Sequence, residues 1–181
     1  MTEYIIRDLS SAVSYLPYGL MAGALAAVIL SVINNKRKRL GKKPFDVAAL
    51  TVFYIYLAIL AAITFFSRES GSRNGIDLKV GSTLGINRRN DAFVVENILL
   101  FVPFGVVTPW AFESLRNFWG GILFGAAVST GIECLQMITA RGYFQIDDIL
   151  TNTLGMAVGC LVFFLLHKVS DVLGRSRRIR R

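Results

Sequence analysis

Five long apolar segments constrain the fold of this chain more than any other feature of its sequence. Each is long enough to cross a bilayer as a helix, which takes about 20 residues. Inside lipid the backbone has no water to bind, so a spanning segment must be a helix or part of a closed barrel. The ten-residue alternation of barrel strands is absent. The segments cover residues 13–33, 47–66, 93–112, 118–138 and 148–166. The sequence therefore predicts an all-α, polytopic membrane protein, a bundle of about five transmembrane helices.

The composition supports a membrane protein and argues against a nucleic-acid partner. Of the 181 residues, 54% are hydrophobic, and the formal net charge is +8. The basic residues cluster beside the apolar segments, where they suit anionic lipid headgroups and the control of topology. No soluble domain is available to read a nucleic-acid groove. We therefore expect anionic inner-leaflet lipid at the basic loop and tail, no nucleic acid, and leave the oligomeric state open.

The distribution of Lys and Arg predicts the orientation of the bundle. Thirteen of the 20 basic residues lie between the first two segments, after the fifth segment, or at Arg116, all on one side of the membrane. Cytoplasmic loops carry the excess of Lys and Arg, so the N-terminus is predicted outside and the C-terminus in the cytoplasm. The predicted parts are an N-terminal helix with a basic cytoplasmic loop (1–45), a transmembrane bundle (46–168) with an outer loop (67–91), and a basic cytoplasmic tail (169–181).

Polar side chains inside three of the segments mark a candidate site. Counting about 1.5 Å per helical residue, Glu133 lies roughly 10 Å below the outer end of its segment, and Asn97 and Asn152 lie roughly 6 Å deep. All of them fall in the outer half of the bundle. Ionisable groups at membrane depth are costly and are rarely there for packing alone. We therefore expect one functional level near the outer surface.

The spacing of the polar residues selects helix faces. The fourth segment carries Ser129, Glu133 and Gln136 in one stripe, and the fifth carries Asp148 and Asn152 in another. A short turn joins these two segments, so they are antiparallel neighbours and their stripes are expected to meet. Arg141, in that turn, is expected just above them, and Asn97 is the contribution of the third segment.

Three roles for this cluster are open on the sequence. A buried glutamate suits general acid or base catalysis, with Arg141 holding an anionic headgroup. An all-oxygen cluster of Glu133, Asp147 or Asp148, Asn97 and Asn152 would instead ligate Mg²⁺ or Ca²⁺; no metal ligand is assigned, and no cofactor is required. The structural alternative is an interhelical salt bridge from Arg141 to Asp148 or Glu133, with amide cross-links.

Small residues spaced four apart indicate where helices approach closely. The pairs are Gly19/Gly23, Gly121/Gly125 and Gly155/Gly159. Glycine lets helix backbones come together, and we expect these pairs to pack helices within the bundle and not between two copies. Pro103 is expected to kink the third segment and, with Gly105, to support the site.

Three blocks of the sequence carry a recognisable pattern. They are ENILLFVPFG, IECLQ and RGYFQIDDILTNTLG. Together they resemble the VanZ-like family of small bacterial membrane proteins, from about residue 97 to 159, with a weaker match at residues 66–68. By motif position the resemblance carries over Asn97, Pro103, Gly105, Glu133, Gln136, Arg141, Asp148, Asn152 and Gly155.

The resemblance implies a multi-pass protein of the bacterial cytoplasmic membrane. The family takes its name from an accessory protein of teicoplanin resistance. We hypothesise an outward-facing polar pocket that binds or modifies a lipid, a lipid-linked envelope precursor or a lipophilic glycopeptide antibiotic. The alternatives are a small lipid or solute transporter and a structural assembly factor; whether the protein is an enzyme is left open. The candidate catalytic residues are Glu133, Asp148 and Arg141, and the candidate ligand-binding or supporting residues are Asn97, Gln136, Asp147, Asn152 and Arg68.

Overall fold

Helices make up most of the structure. The computed structural model describes residues 1–66, 68, 70–71 and 75–179, apart from the side chains of residues 9, 11 and 174–179. Within that part, the α-helices are α1 (Thr2–Val13), α2 (Leu16–Arg39), α3 (Val47–Ala61), α4 (Arg88–Ala111), α5 (Phe118–Ile138) and α6 (Ile146–Ile179). A π-helical turn, Ala62–Phe66, extends α3, and a 3₁₀ turn, Glu113–Leu115, precedes α5.

The prediction of an all-α bundle with five long apolar helices is confirmed. Among the described residues, five helices, α2 to α6, are long and apolar enough to cross a membrane, with α3 counted together with its π-helical turn to Phe66. The orientation of the termini and the division of the chain into three parts stay predictions. Three residues counted in the orientation argument, Arg73, Arg180 and Arg181, lie outside the described residues, as does part of the predicted outer loop.

The boundaries of three helices differ from the prediction. The first spanning helix begins at Leu16, where Pro17 stands in its first turn, and the separate helix α1 precedes it. Proline suits a first turn because its missing N–H has no partner there in any case. Asn87 caps α4, since its Oδ1 accepts from the N–H groups of residues 89 and 90, so this helix starts five residues earlier than predicted. At the other end, α6 continues as helix through most of the predicted tail.

Helix α1 is the element that the sequence did not predict. It packs against α4 at the end of the bundle where that helix begins. Ile6 and Val13 are more than half exposed, and the guanidinium of Arg89 lies 6.0 Å from the ring centroid of Tyr4. A short helix with apolar side chains on its exposed surface is suited to lie in the membrane interface.

Glycines set the closest helix contacts, as expected within the bundle. A Cβ at Gly155 would collide with the carbonyl oxygen of Ile98, and one at Gly159 with that of Val102, so these two glycines bring α6 onto α4. The other two pairs also face neighbouring helices: Gly19 and Gly23 meet Ile59 and Ile55, and Gly121 and Gly125 meet Cys160 and Met156. The prediction that these pairs build the bundle internally is confirmed.

The core lies between α3, α4 and α6. Its buried members are Phe53, Leu60, Phe101, Phe104, Met156 and Cys160. Helix α4 runs as one helix through Pro103 and Pro109, so Phe101 and Phe104 present their rings to the same core, with centroids 5.6 Å apart in an edge-to-face arrangement. Such aromatic pairs add to the free energy of burial.

Two short strands tie the loops together at one end of the bundle. Strand β1 (Ile76–Asp77) pairs in parallel with β2 (Phe144–Gln145), and the N–H of Phe144 also donates to the carbonyl of Gly75 at 2.9 Å. The segment after α3 is therefore fastened to the connection between α5 and α6. The polar residues predicted to form a site lie at this end.

The glycine contact between α4 and α6 predicts the effect of one methyl group. In Gly159→Ala the new Cβ would lie 2.7 Å from Gly105 Cα, so the backbones must separate. We expect a loss of about 1–3 kcal/mol in the free energy of unfolding and a lower melting temperature, measured by tryptophan fluorescence in detergent. Gly131→Ala is the control, because nothing lies within 4 Å of a Cβ there. Equal melting temperatures in the two variants would contradict the assignment.

Candidate functional site

The end of α3 is held by two side chains from α5 and the turn after it. Gln136 Nε2 donates to the carbonyl oxygen of Thr64 at 2.7 Å, and Arg141 Nη1 donates to that of Phe65 at 3.2 Å. The last carbonyls of a helix lack partners within it, and a π-helical turn often marks a functional site. The Arg141 guanidinium also lies 4.7 Å from the ring centroid of Phe65. Gln136 and Arg141 therefore cap α3.

A left-handed residue directs Arg141 to this position. Ala140 has φ = 51°, its N–H donates to Met137, and the N–H of Arg141 donates to Gln136 O at 2.8 Å. This is the hydrogen-bond pattern that closes many helices, in which glycine is the usual left-handed residue. The alanine tolerates a conformation that costs about 1–2 kcal/mol for a residue with a Cβ, and the reversal turns Arg141 back toward α3.

Two carboxylates and one guanidinium form the charged centre of the site. Glu133 is 2% exposed, and its Oε2 accepts from the N–H of Gln145 on β2 at 2.9 Å. Glu133 interacts electrostatically with Asp148 and with Arg68. Asp148 in turn interacts with Arg68 and with the side-chain amide of Asn97. The structure thus brings Glu133, Asp148 and Asn97 together, as predicted, with Arg68 as the cation facing both carboxylates.

Arg68 is positioned by its own contacts to α5 and to the turn after it. Its Nη1 lies 3.3 Å from Gln136 Oε1. A Cβ at Gly142 would fall 2.7 Å from that same Nη1, so glycine at this position leaves room for the guanidinium. The backbone carbonyl of Arg68 accepts from Arg141 Nη1 at 2.5 Å. Gln136 and Arg141 therefore act together to place Arg68.

Two predicted site residues have other partners. Asn152 is buried and its Nδ2 donates to Ser129 Oγ at 2.9 Å, one helix turn below Glu133. Asp147 is also buried and accepts from the N–H of Gly81 at 2.7 Å and of Thr83 at 2.9 Å. Asp147 therefore anchors the loop before α4 to the start of α6 and does not face Arg68.

The loop carries a second carboxylate close to this anchor. Ser82 Oγ donates to Asp77 Oδ2 at 2.7 Å and lies 3.4 Å from Asp147 Oδ2. The hydroxyl of Ser82 and the backbone N–H of Lys79 lower the pKa of Asp77, because both hydrogen bonds stabilise its ionised form. Residues 76–83 of the loop thus contact both α6 and β2.

The arrangement changes the role predicted for Arg141. Arg141 was expected to bind an anion or to form a salt bridge with Asp148 or Glu133. Its hydrogen bonds are instead to the backbone carbonyl groups of residues 65 and 68. Across the described residues, no group of three or more His, Cys, Asp and Glu side chains is suited to a metal ion. The donor set around Glu133 and Asp148 instead includes a guanidinium, which does not ligate a cation.

A cavity of about 590 Å³ opens beside the charged centre. Its walls are mostly apolar, and its apolar members include Ala12 and Val13 of α1, Ile59 and Ile63 of α3, and Leu99 and Pro103 of α4. Arg68 and Asn97 belong to its polar lining, and both interact with Asp148, Arg68 through its charge and Asn97 through its side-chain amide. Asp8 and Glu96 complete its charged lining. The charged centre and the cavity therefore share Arg68 and Asn97.

Sequence reasoning did not assign Glu96, Gly142 or α1 to the site. Glu96 was visible as an acid inside an apolar segment, but Asn97 follows it directly and so lies about 100° around the helix. That rotation turns Glu96 toward Arg7 and Asp8 of α1, while both Glu96 and Asn97 line the cavity. Gly142 was visible in the third sequence block, where it follows Arg141. The signal for α1 was the short apolar run at residues 4–6, which lies between Glu3 and Arg7.

A family model matches the part of the chain that holds the charged centre. The model is that of VanZ/LLP1, and it covers residues 53–167, well over half of the chain. The chain belongs to the VanZ/LLP1 family. The matched range runs from the middle of α3 to α6 and includes Arg68, Asn97, Glu133, Asp148 and the loop between α3 and α4. Helices α1 and α2, which complete the cavity, lie before the matched range.

Part of the chain is also similar to a characterised protein. The chain is 31% identical over 75 residues to Protein VanZ of Enterococcus faecium, a stretch that covers 41% of this chain and 46% of that protein. The match thus spans less than half the length of the relative. No solved structure matches the chain.

The anchoring role of Asp147 predicts local opening in Asp147→Asn. An asparagine amide has one oxygen to accept a bond, and its NH₂ group would face a backbone N–H. Hydrogen bonds to charged groups contribute about 1.5–3 kcal/mol each, so we expect amide hydrogen exchange at residues 81–83 to accelerate about tenfold or more. Asp171→Asn, on the exposed surface of α6, is the control. Unchanged exchange in the loop of Asp147→Asn would refute the anchor.

Proposed function

We propose that this protein binds an amphiphilic membrane molecule, a lipid or a lipid-linked envelope precursor, in the cavity beside Arg68. One observation carries the proposal: a mostly apolar cavity whose polar lining includes Arg68 and Asn97, the residues that interact with Asp148. The apolar walls suit an acyl or prenyl chain. The guanidinium and the amide suit the polar head of the same molecule.

The size and lining of the cavity support this assignment. Ligand sites in proteins have volumes of about 300–1,000 Å³ and are mainly apolar, with few polar groups that fix orientation. The volume of about 590 Å³ falls within that range. Helix α1 and the start of α2 line one side of the cavity, and Val13, Tyr18 and Met21 on these two helices are exposed. A lipid would enter from the bilayer along this side.

Arg68 is the group best suited to an anionic head. A guanidinium presents five donors in a planar fork that matches phosphate or carboxylate. Glu133, Asp148 and Gln136 hold Arg68 in place through charge and a hydrogen bond. We infer that the cluster serves to fix this cation at the cavity, and that Arg141 supports it by capping α3.

The proposed setting is the outer half of the bacterial cytoplasmic membrane. Lys36, Lys38 and Arg39 close α2 at the end of the bundle opposite the cavity. Because basic residues favour the cytoplasmic side, the cavity then faces outward, where envelope precursors and antibiotics are encountered. Family membership supports a role at the cell envelope, and a lipophilic glycopeptide of the teicoplanin type is a further candidate for the same cavity.

Filling the cavity tests the proposal directly. Ala12 is half-buried and lines the cavity, so Ala12→Trp places a large ring in it. We expect the retention of dioleoyl phosphatidylethanolamine and dioleoyl phosphatidylglycerol, measured by native mass spectrometry, to fall about tenfold, which corresponds to a loss of about 1.4 kcal/mol in binding. Ala127→Trp, on the exposed face of α5, is the matched control. Equal lipid retention by both variants would refute the cavity as the binding site.

Neutralising Glu133 distinguishes binding from proton transfer. In Glu133→Gln the new side chain still accepts from the N–H of Gln145, so the fold is expected to survive. Loss of one negative charge near Arg68 should raise the affinity for phosphatidylglycerol about two- to fivefold, the range of a single screened charge interaction. Asp148→Asn should act in the same direction, and Glu113→Gln, at the opposite end, should have no effect.

Two results of that experiment would redirect the proposal. Lost phosphatidylglycerol binding in both folded variants would contradict the expected gain in affinity, and would show that placing Arg68 matters more to the anionic head than the negative charge of the two carboxylates. A covalent change in the lipid after incubation with the native protein, detected by mass spectrometry and absent in both variants, would instead assign Glu133 and Asp148 to proton transfer. The acid–base role stays a prediction until then.

A further inference from the structure

Glu96 is a charged residue of the cavity that the proposed binding of an anionic head does not use. It lies on α4 next to Asn97 and lines the cavity together with Arg68. Its Oε1 atom is buried and, among the residues that the structure describes, has no hydrogen-bond partner. A buried acceptor without a donor is unfavourable by roughly the cost of a lost hydrogen bond, and by more when the group is charged.

The nearby arginines do not supply that donor. Arg7 interacts with Glu96 only electrostatically, and its Nε is paired with Asp8 at 2.9 Å. Arg89 also acts on Glu96 through its charge, and its guanidinium lies 5.5 Å from the ring centroid of Phe93. In the described part of the chain no ion pair joins either arginine to Glu96. Glu96 itself lines the cavity, so the cavity is the side from which a ligand would approach its carboxylate.

We propose that Glu96 accepts a hydrogen bond from an amino group on the head of the bound amphiphile. The cavity then recognises two features of one head: a phosphate at Arg68 and an ammonium at Glu96. This combination is that of an aminophospholipid such as phosphatidylethanolamine. The inference rests on the proposed function, because it names which head the cavity takes.

The distribution of charge in the cavity supports an amine-bearing head. Its charged lining comprises two carboxylates, Asp8 and Glu96, and one cation, Arg68. An ammonium on the ligand head would find an acceptor at Glu96, whereas a head with only negative charge has no group to donate there. A trimethylammonium carries the same charge but has no N–H to donate, so hydrogen bonding at Glu96 separates ethanolamine from choline heads.

The test compares three lipids with the same acyl chains on the intact protein. Native mass spectrometry measures the retention of dioleoyl phosphatidylethanolamine, phosphatidylcholine and phosphatidylglycerol by the native chain and by Glu96→Gln. We expect the native protein to prefer phosphatidylethanolamine over phosphatidylcholine about tenfold, the effect of one hydrogen bond to a charged group. Glu96→Gln should lose most of that preference, because the amide carries no charge and offers a competing donor.

Matched controls separate selectivity from folding and from binding as such. Glu113→Gln makes the same change on an exposed residue that pairs with Lys43 at the other end of the bundle, and should keep the preference. Equal melting temperatures of the two variants show that Glu96→Gln folds. An unchanged ratio of phosphatidylethanolamine to phosphatidylcholine in Glu96→Gln overturns this inference. The proposed function is tested separately by Ala12→Trp, and it stands if that variant loses lipid binding. Loss of all three lipids to the same degree would also overturn it, since Glu96 would then not discriminate heads.

Discussion

The close contact between α4 and α6 is the interaction on which the rest of the structure depends. Gly155 and Gly159 place α6 against the carbonyl groups of α4. In lipid no hydrophobic force drives helices together, so close backbone packing of this kind provides the association. It also fixes the axial and rotational register of the two helices. Asn97 and Asp148 lie on the same interface toward the loop end, and a shift of one residue would rotate their faces about 100° apart.

The charged centre depends in turn on how α5 caps α3. Gln136 and Arg141 bind carbonyl groups at the π-helical end of α3, and this fastens the segment that carries Arg68. Two carboxylates then face one guanidinium at the edge of an apolar cavity. The matched family range contains this centre and most of the cavity lining, and α1 and the start of α2, which precede the range, complete the cavity.

Much of the fold could be predicted because the bilayer leaves few choices. Segment length and the need for internal backbone hydrogen bonds predicted five spanning helices, and 118–138 agrees with α5 to the residue. Depth along each helix predicted that Glu133, Asp148 and Asn97 share a level, and the structure brings them together. Helix α1 was missed because its charged residues interrupt its apolar ones. Arg141 was expected at an anion, because a sequence pattern contains no information on which carbonyl groups at the end of α3 lack partners.

The sequence by itself determined the helices, the depth of each polar residue and the face on which it lies, because these follow from helix geometry and from the cost of exposing polar groups to lipid. Only the tertiary structure decided which side chains meet. It assigned Arg141 to backbone carbonyls, Arg68 to the carboxylates and the cavity, Asp147 to the loop, and left Glu96 facing the cavity without a donor among the described residues. The reason is that packing sets how far each helix is rotated about its own axis. The same apolar pattern permits several rotations, and the glycine contacts and capping hydrogen bonds stabilise one of them.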